Sequence, residues 1–120
     1  MGERAGTISY SERERRWAAT LGIMVHPRFW GSGASFDAQE LLLRFLFAEL
    51  GVRVARIWTH SSNPHTVALA ERSGFRLSGR LRQSGYKGGE MTDMLIRDLL
   101  RGEYFARHPE PVDGLPPVVL

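Results

Sequence analysis

Arg28-Phe29-Trp30-Gly31-Ser32-Gly33-Ala34 lies between a strand-like segment and a long helical pattern, and it has the make-up of an anion cradle. Two glycines one residue apart let the backbone turn tightly and leave peptide N–H groups open to an approaching anion. The helix that follows adds its unpaired N–H groups and the positive end of its dipole. Arg28 brings a guanidinium that can pair with a phosphate. The same glycines also suit an ordinary turn, so spacing alone leaves both readings open. A dinucleotide fingerprint is excluded, because GSGASF lacks the third glycine and the acidic residue at the required distance. A P-loop is excluded as well, because no Gly-Lys-Ser/Thr occurs.

Histidine is the other source of chemistry. His60 closes a strand-like run and is a candidate for moving an amine proton. His26 stands beside the glycine loop and reads as a loop residue, while His65 and His108 read as surface residues. No pair among the four has metal-ligand spacing and there is no cysteine, so no metal is expected. The absence of cysteine also rules out a thiol nucleophile and a disulfide framework, and fits a cytoplasmic home.

The chain has 120 residues, one domain's worth, and 42% hydrophobic residues, enough for a core. Its net charge of +3 raises the question of nucleic acid. The sixteen Lys and Arg residues, however, are spread along the whole chain and interrupted by acids, as in SERERR, which argues against a basic interface. The N-terminal run has no apolar signal-like stretch, and apolar segments are broken well short of a membrane span.

The elements that must position these residues follow from pattern. Gly6 to Ser11 alternates apolar and polar side chains and predicts a strand; ERERR predicts a turn; Ala18 to Val25 predicts the second strand of a hairpin. His26-Pro27 stops it. Phe36, Leu42 or Leu43, Leu46 and Leu50 recur at helical spacing, with Asp37, Gln39, Glu40, Arg44 and Glu49 on a wetter side, so a helix is expected from about Ser35 to Leu50, closed by Gly51. Val52 to Thr59 predicts a buried strand. Asn63 and Pro64 are N-cap and first position of a short helix ending near Ser73 and Gly74. Phe75 to Tyr86 and Met91 to Asp98 predict a closing hairpin around Lys87-Gly88-Gly89-Glu90. Trp17 and Trp58 read as core or hairpin-packing aromatics. The expected order is β-β-α-β-α-β-β, with residues 1–108 as the core and 109–120 as a Pro-rich tail, extended or disordered.

Taken together, these blocks resemble the GNAT N-acyltransferases. Arg28-x-x-Gly31-x-Gly33-Ala34 is similar to that family's Q/R-x-x-G-x-G/A motif. Asn63-x-x-Thr66 followed by Gly74-Phe75, the run Gly79-Arg80-Leu81-Arg82, Met91 to Leu95 with Asp93, and Leu99 to Tyr104 resemble, in order, later blocks of the branch that acetylates ribosomal-protein N-termini. The resemblance runs from about Gly6 to His108. It implies an α/β (α+β) fold with a mixed, mostly antiparallel sheet, an N-terminally truncated form of the GNAT fold, and acetyl-CoA as co-substrate.

The resemblance also implies roles. The backbone of Met24 and Val25 would pair with the pantetheine arm, and a backbone N–H there would polarise the thioester carbonyl. Arg28, Gly31, Ser32, Gly33 and Ala34 would hold the pyrophosphate; Asn63 would bond the pantetheine, and Arg72 would reach a phosphate. Thr66 stands where the branch has a serine and could protonate the leaving thiolate. His60 falls near the expected thioester. The reaction would be direct attack of a primary amine, on a protein N-terminus or a small metabolite, upon the thioester. Against the family pattern, Thr20 replaces a frequent glutamate, Ala70 replaces a frequent tyrosine, and the segments preceding Gly6 are missing. A truncated domain that binds acyl-CoA or a protein partner without catalysis is the alternative. Loss of those segments predicts an uncovered apolar face on Ile8, Tyr10, Leu21 and Ile23, and a homodimer or partner chain to cover it. Asp93 is expected to be a structural hydrogen-bond acceptor, and Trp30 a shield for the loop.

Overall fold

Alternating apolar and polar residues do build the hairpin, and more of it than the pattern predicts. The computed structural model describes residues 6–14, 17–25, 28 and 33–108, with backbone alone for 12–14 and 23–25. Strand β1 (Gly6–Glu14) runs antiparallel to β2 (Ala18–Val25), from Gly6↔Val25 to Glu14↔Ala18 with a bulge between Glu12 and Glu14. The expected turn at Glu12 is therefore strand. A sheet edge leaves one side to water, so charged residues are no obstacle to pairing there.

Among the described residues the sheet has five strands in the order β1-β2-β3-β5-β4. Strand β3 (Val54–His60) is central, parallel to β2 and antiparallel to β5 (Glu90–Leu100), which pairs in turn with β4 (Arg76–Lys87). The expected mixed, mostly antiparallel α/β arrangement is the one observed.

Helix α1 (Ala34–Arg44) continues into a π-helical turn, Phe45–Glu49, rather than running uniformly to Leu50. Its end is closed by Leu50 N donating to Phe45 O and Val52 N donating to Leu46 O, with Gly51 at φ 73 making the left-handed turn. Leu43, Leu46 and Phe47 are fully buried, while Leu42 and Leu50 only pack against the cluster. Gln39, expected on the wetter side, is buried; its Nε2 donates to Leu69 O at 3.2 Å and Ser73 Oγ at 2.7 Å, tying α1 to α2 (Pro64–Arg72). A third helix, α3 (Arg101–Arg107), goes beyond the expected order; Tyr104 stacks on Phe47 at 5.0 Å and so fastens it to the core.

Helices α1, α2 and α3 contribute to one cluster, with Leu43, Leu46, Phe47, Ala70 and Tyr104 packed on Ala19, Leu21, Ala55, Ile57 and Leu99 of the sheet. Leu21 is thus covered, and Tyr10 packs on Phe45 with ring centroids 6.1 Å apart. Of the expected bare face, then, Leu21 is buried, while Tyr10 stays 39% exposed and the Ile23 side chain lies outside the described residues. Strand alternation puts Trp58, Leu100 and Leu81 on the opposite side, and all three are exposed. Trp58 and Trp17 are about half exposed, so neither is a core residue. Trp17 instead closes the hairpin, its carbonyl accepting from Arg53 N and Val54 N and its ring lying under the Arg53 guanidinium. Among the described residues no helix is long and apolar enough to cross a membrane. The expected tail, 109–120, lies outside the described residues.

Candidate active site

The feature that shapes the site is a ladder that stops early. Strands β2 and β3 pair from Ala18↔Val54 to Leu21↔Ile57 and no further, yet β2 stays paired with β1 to Val25 and β3 stays paired with β5 to His60. The two strands part while each is held by its outer neighbour. Beyond Leu21 and Ile57 the backbone groups that face across the gap have no partner in the opposite strand, and such groups need other hydrogen-bond partners. A cavity of about 200 Å³ occupies the gap, lined by Ile8, Leu21, Gly22, Gln39, Ile57, Trp58, Thr59, His60, Asn63 and Thr66.

Helix α1 points its N-terminus from the same end of the sheet, just past β2. Gly33 is its N-cap at φ 88, a left-handed conformation that a Cβ would strain, and its carbonyl accepts from Asp37 N at 3.0 Å. A Cβ on Gly33 would meet nothing within 4 Å, so the glycine answers a conformational need rather than a spatial one. Ala34 opens the helix and Arg28 is exposed. Gly31 and Ser32, and with them Trp30 and His26, lie outside the described residues. A second hollow, about 360 Å³, runs from Gly33, Ser35 and Phe36 across to His65, Ala68, Leu69 and Arg72. The Arg72 guanidinium lies 3.9 Å over the Phe36 ring, which fixes a cation beside the α1 N-terminus.

Asn63 Oδ1 caps α2 by accepting from Thr66 N at 3.3 Å. That use of the oxygen leaves the amide NH₂ as the group to serve a ligand in the cavity. Thr66, one turn on, is half-buried and lines the same space. Ala70, by contrast, is fully buried in the core, so a larger polar side chain there would have to displace core packing. His60 Nδ1 lies 2.9 Å from Thr92 Oγ1. Asp93, the next residue, accepts from Gln83 N at 2.9 Å and from Arg80 Nη1 at 2.7 Å. These bonds, the backbone one foremost, hold its carboxyl below the ordinary value of 3.8. It is a structural acceptor, pinning the β4 bulge between Leu81 and Gly85, where Gln83 sits at φ 50.

His60, Asn63 and Thr66 thus meet around one cavity, and Gly33 and Arg72 around the neighbouring hollow. Sequence reasoning missed Trp58, Thr92 and Gly85 as neighbours of the site. Trp58 shares the alternation of His60 and could have been found from it; the other two stand close to His60 only through the pairing of β3, β4 and β5. Among the described residues no group of three or more His, Asp or Glu is placed to hold a metal ion.

A strand pair opening beside a glycine-capped helix can be compared with known proteins. The acetyltransferase (GNAT) domain profile matches residues 2–76. The chain belongs to the GNAT acetyltransferase family. Solved structures agree with the GNAT fold. A probable acetyltransferase superposes with TM-score 0.78 at 29% identity, over 85% of this chain and 58% of its own. Mutant forms of the spermidine/spermine N-acetyltransferase SpeG from Vibrio cholerae give 0.77 at 24%, over 86% and 63%. A GNAT-family acetyltransferase from Bacillus anthracis gives 0.75 at 19%, over 82% and 60%. This GNAT chain therefore spans about three fifths of the length of these relatives.

Proposed function

We propose that the chain is an N-acetyltransferase that moves an acetyl group from acetyl-CoA to a primary amine, a protein N-terminus or a small metabolite. The observation that carries this reading is the β2–β3 ladder, which stops at Leu21↔Ile57 while both strands stay held on their outer sides. An extended arm with its own amides, as pantetheine has, satisfies the open edges as an added strand would. Met24 and Val25 supply backbone groups to that arm, and a backbone N–H there polarises the thioester carbonyl. Asn63 donates its amide to it. Arg28, Gly31, Ser32, Gly33 and Ala34 hold the pyrophosphate at the α1 N-terminus, and Arg72 reaches a phosphate.

The amine nitrogen attacks the thioester carbon, the new C–N bond forms, and the C–S bond breaks with its electron pair leaving on sulfur. The amine proton passes to His60, and the thiolate takes a proton from Thr66 or from water. A thiolate is a good leaving group, so Thr66 assists rather than governs. Orientation of the two reactants supplies most of the rate. The motif run from Asn63 to Tyr104 favours the ribosomal-protein branch and hence a peptide N-terminus in the cytoplasm. In this reading residues 1–108 are the working core, 109–120 its tail, and a second copy or a partner chain covers the open face of the sheet.

A second reading, a domain that binds acyl-CoA or a partner without transfer, is favoured by Ala70, which is fully buried in the core and offers no acid where the family often has a tyrosine. Titration calorimetry with acetyl-CoA, on the unaltered chain and on Arg28→Ala and Gly33→Asp, tests the shared part. Both variants are expected to weaken saturable binding, each by about tenfold from a lost or opposed phosphate contact. Thiol release in the presence of an amine then separates the readings: transfer gives free coenzyme A, and binding alone does not.

A further inference from the structure

His60 lines the cavity, and two residues on the β4–β5 hairpin decide how its ring sits. Thr92 Oγ1 lies 2.9 Å from its Nδ1. Gly85 is the cross-strand partner of Thr92 and is buried. A Cβ built on Gly85 would fall 2.5 Å from His60 Nδ1, 2.7 Å from His60 Cε1 and 2.6 Å from Thr92 Oγ1. The space that any other residue would take at position 85 is filled by the imidazole. Unlike Gly33, Gly85 is needed for room and not for its backbone angle.

With Nδ1 committed to Thr92, Nε2 is the ring nitrogen left to meet a substrate. A hydroxyl can accept from Nδ1–H, which leaves a lone pair on Nε2, or donate to a bare Nδ1, which leaves Nε2–H. Only the first arrangement can take a proton from an attacking amine. The nearby carboxylate of Asp93 is engaged by Arg80 and Gln83 N, so the group that orients the ring is the Thr92 hydroxyl. Resting on the acetyltransferase reading, we propose that Thr92 is a positioning residue holding His60 as the Nδ1–H tautomer, with Nε2 as proton acceptor. Gly85 is the position in the β4–β5 hairpin whose missing side chain admits the ring. As the C–N bond forms and the C–S pair departs on sulfur, the amine proton moves to Nε2.

Two measurements test this. Long-range ¹H–¹⁵N correlation of the histidine ring in the free chain should show His60 protonated on Nδ1, and Thr92→Val should shift the ring toward Nε2–H. Val matches Thr in shape and suits a strand, so the fold is retained. In thiol-release kinetics Thr92→Val should lower kcat about tenfold or more, with KM for acetyl-CoA within about twofold. Thr92→Ser should recover most of the loss, and Gly85→Ala should resemble Thr92→Val or be worse. An Nε2–H ring in the unaltered chain overturns the proposal, as does a Thr92→Val enzyme with normal kcat, or a Thr92→Ser enzyme no better than Thr92→Val. An unaltered chain that shows Nδ1–H yet releases no thiol overturns the acetyltransferase reading instead, and the proton-acceptor role with it.

Discussion

Asn63 carries two duties on one side chain. Its Oδ1 caps α2 through Thr66 N, and its side chain borders the cavity between β2 and β3, where the amide nitrogen can donate. The two are separable by chemistry. Asn63→Asp keeps an acceptor at the N-cap and adds a charge that the helix dipole favours, yet removes both amide donors. Thermal unfolding of Asn63→Asp should therefore match the unaltered chain while acetyl-CoA affinity falls several-fold. Asn63→Ala should lose both, with about 1 kcal/mol of stability gone. Equal acetyl-CoA affinity in Asn63→Asp and the unaltered chain would remove Asn63 from the binding site.

Among the elements, α1 and α2 hold the two hollows in register because they are bonded to each other through Gln39. Its amide donates to the carbonyl of Leu69 and the hydroxyl of Ser73, both buried with it. An apolar side chain of the same length, Gln39→Met, packs the space but leaves the Ser73 hydroxyl short of a partner. Burying an unsatisfied polar group costs about 1–3 kcal/mol, the expected loss in urea unfolding. Because α2 also carries Thr66 and Arg72, with Asn63 as its cap, and Gln39 itself lines the cavity, the same variant should weaken acetyl-CoA binding as well. The π-helical turn at Phe45–Glu49 has a comparable positional role, since it lets Phe45 reach Tyr10 on the edge strand while Leu46 and Phe47 remain in the core.

For the molecule as a whole, the placement of α1, α2 and α3 on one face leaves the other face of the sheet with Trp58, Leu81 and Leu100 exposed, by 48%, 39% and 46%. Exposed apolar residues gathered on one sheet face are the kind of surface that association covers. The expected outcome is a dimer in multi-angle light scattering at micromolar concentration, and Trp58→Lys should shift it toward monomer. A monomer for the unaltered chain under those conditions would rule out the self-association expected here.

Much is legible from residue order alone. Alternation in Gly6 to Ser11 and Ala18 to Val25, the Asn63-Pro64 start of α2 and the glycine turn at Gly88-Gly89 are local signals, set by backbone sterics and near neighbours, and they yield the β-β-α-β-α-β-β order that the sheet follows. The glycine-rich run before α1 and the family resemblance are equally local signals. What tertiary structure decided was everything that depends on two distant segments meeting. Gln39 is polar by type, but it is buried because Leu69 and Ser73 arrive beside it. Edge pairing carries β1 through charged residues that look like a turn. The exposure of Trp58, Leu81 and Leu100 is not among the expected features, because alternation says which residues share a face but not which face the helices take. His60 is visible in the sequence as a histidine; its hydroxyl partner and the space beside it come from strand register, which no single segment encodes.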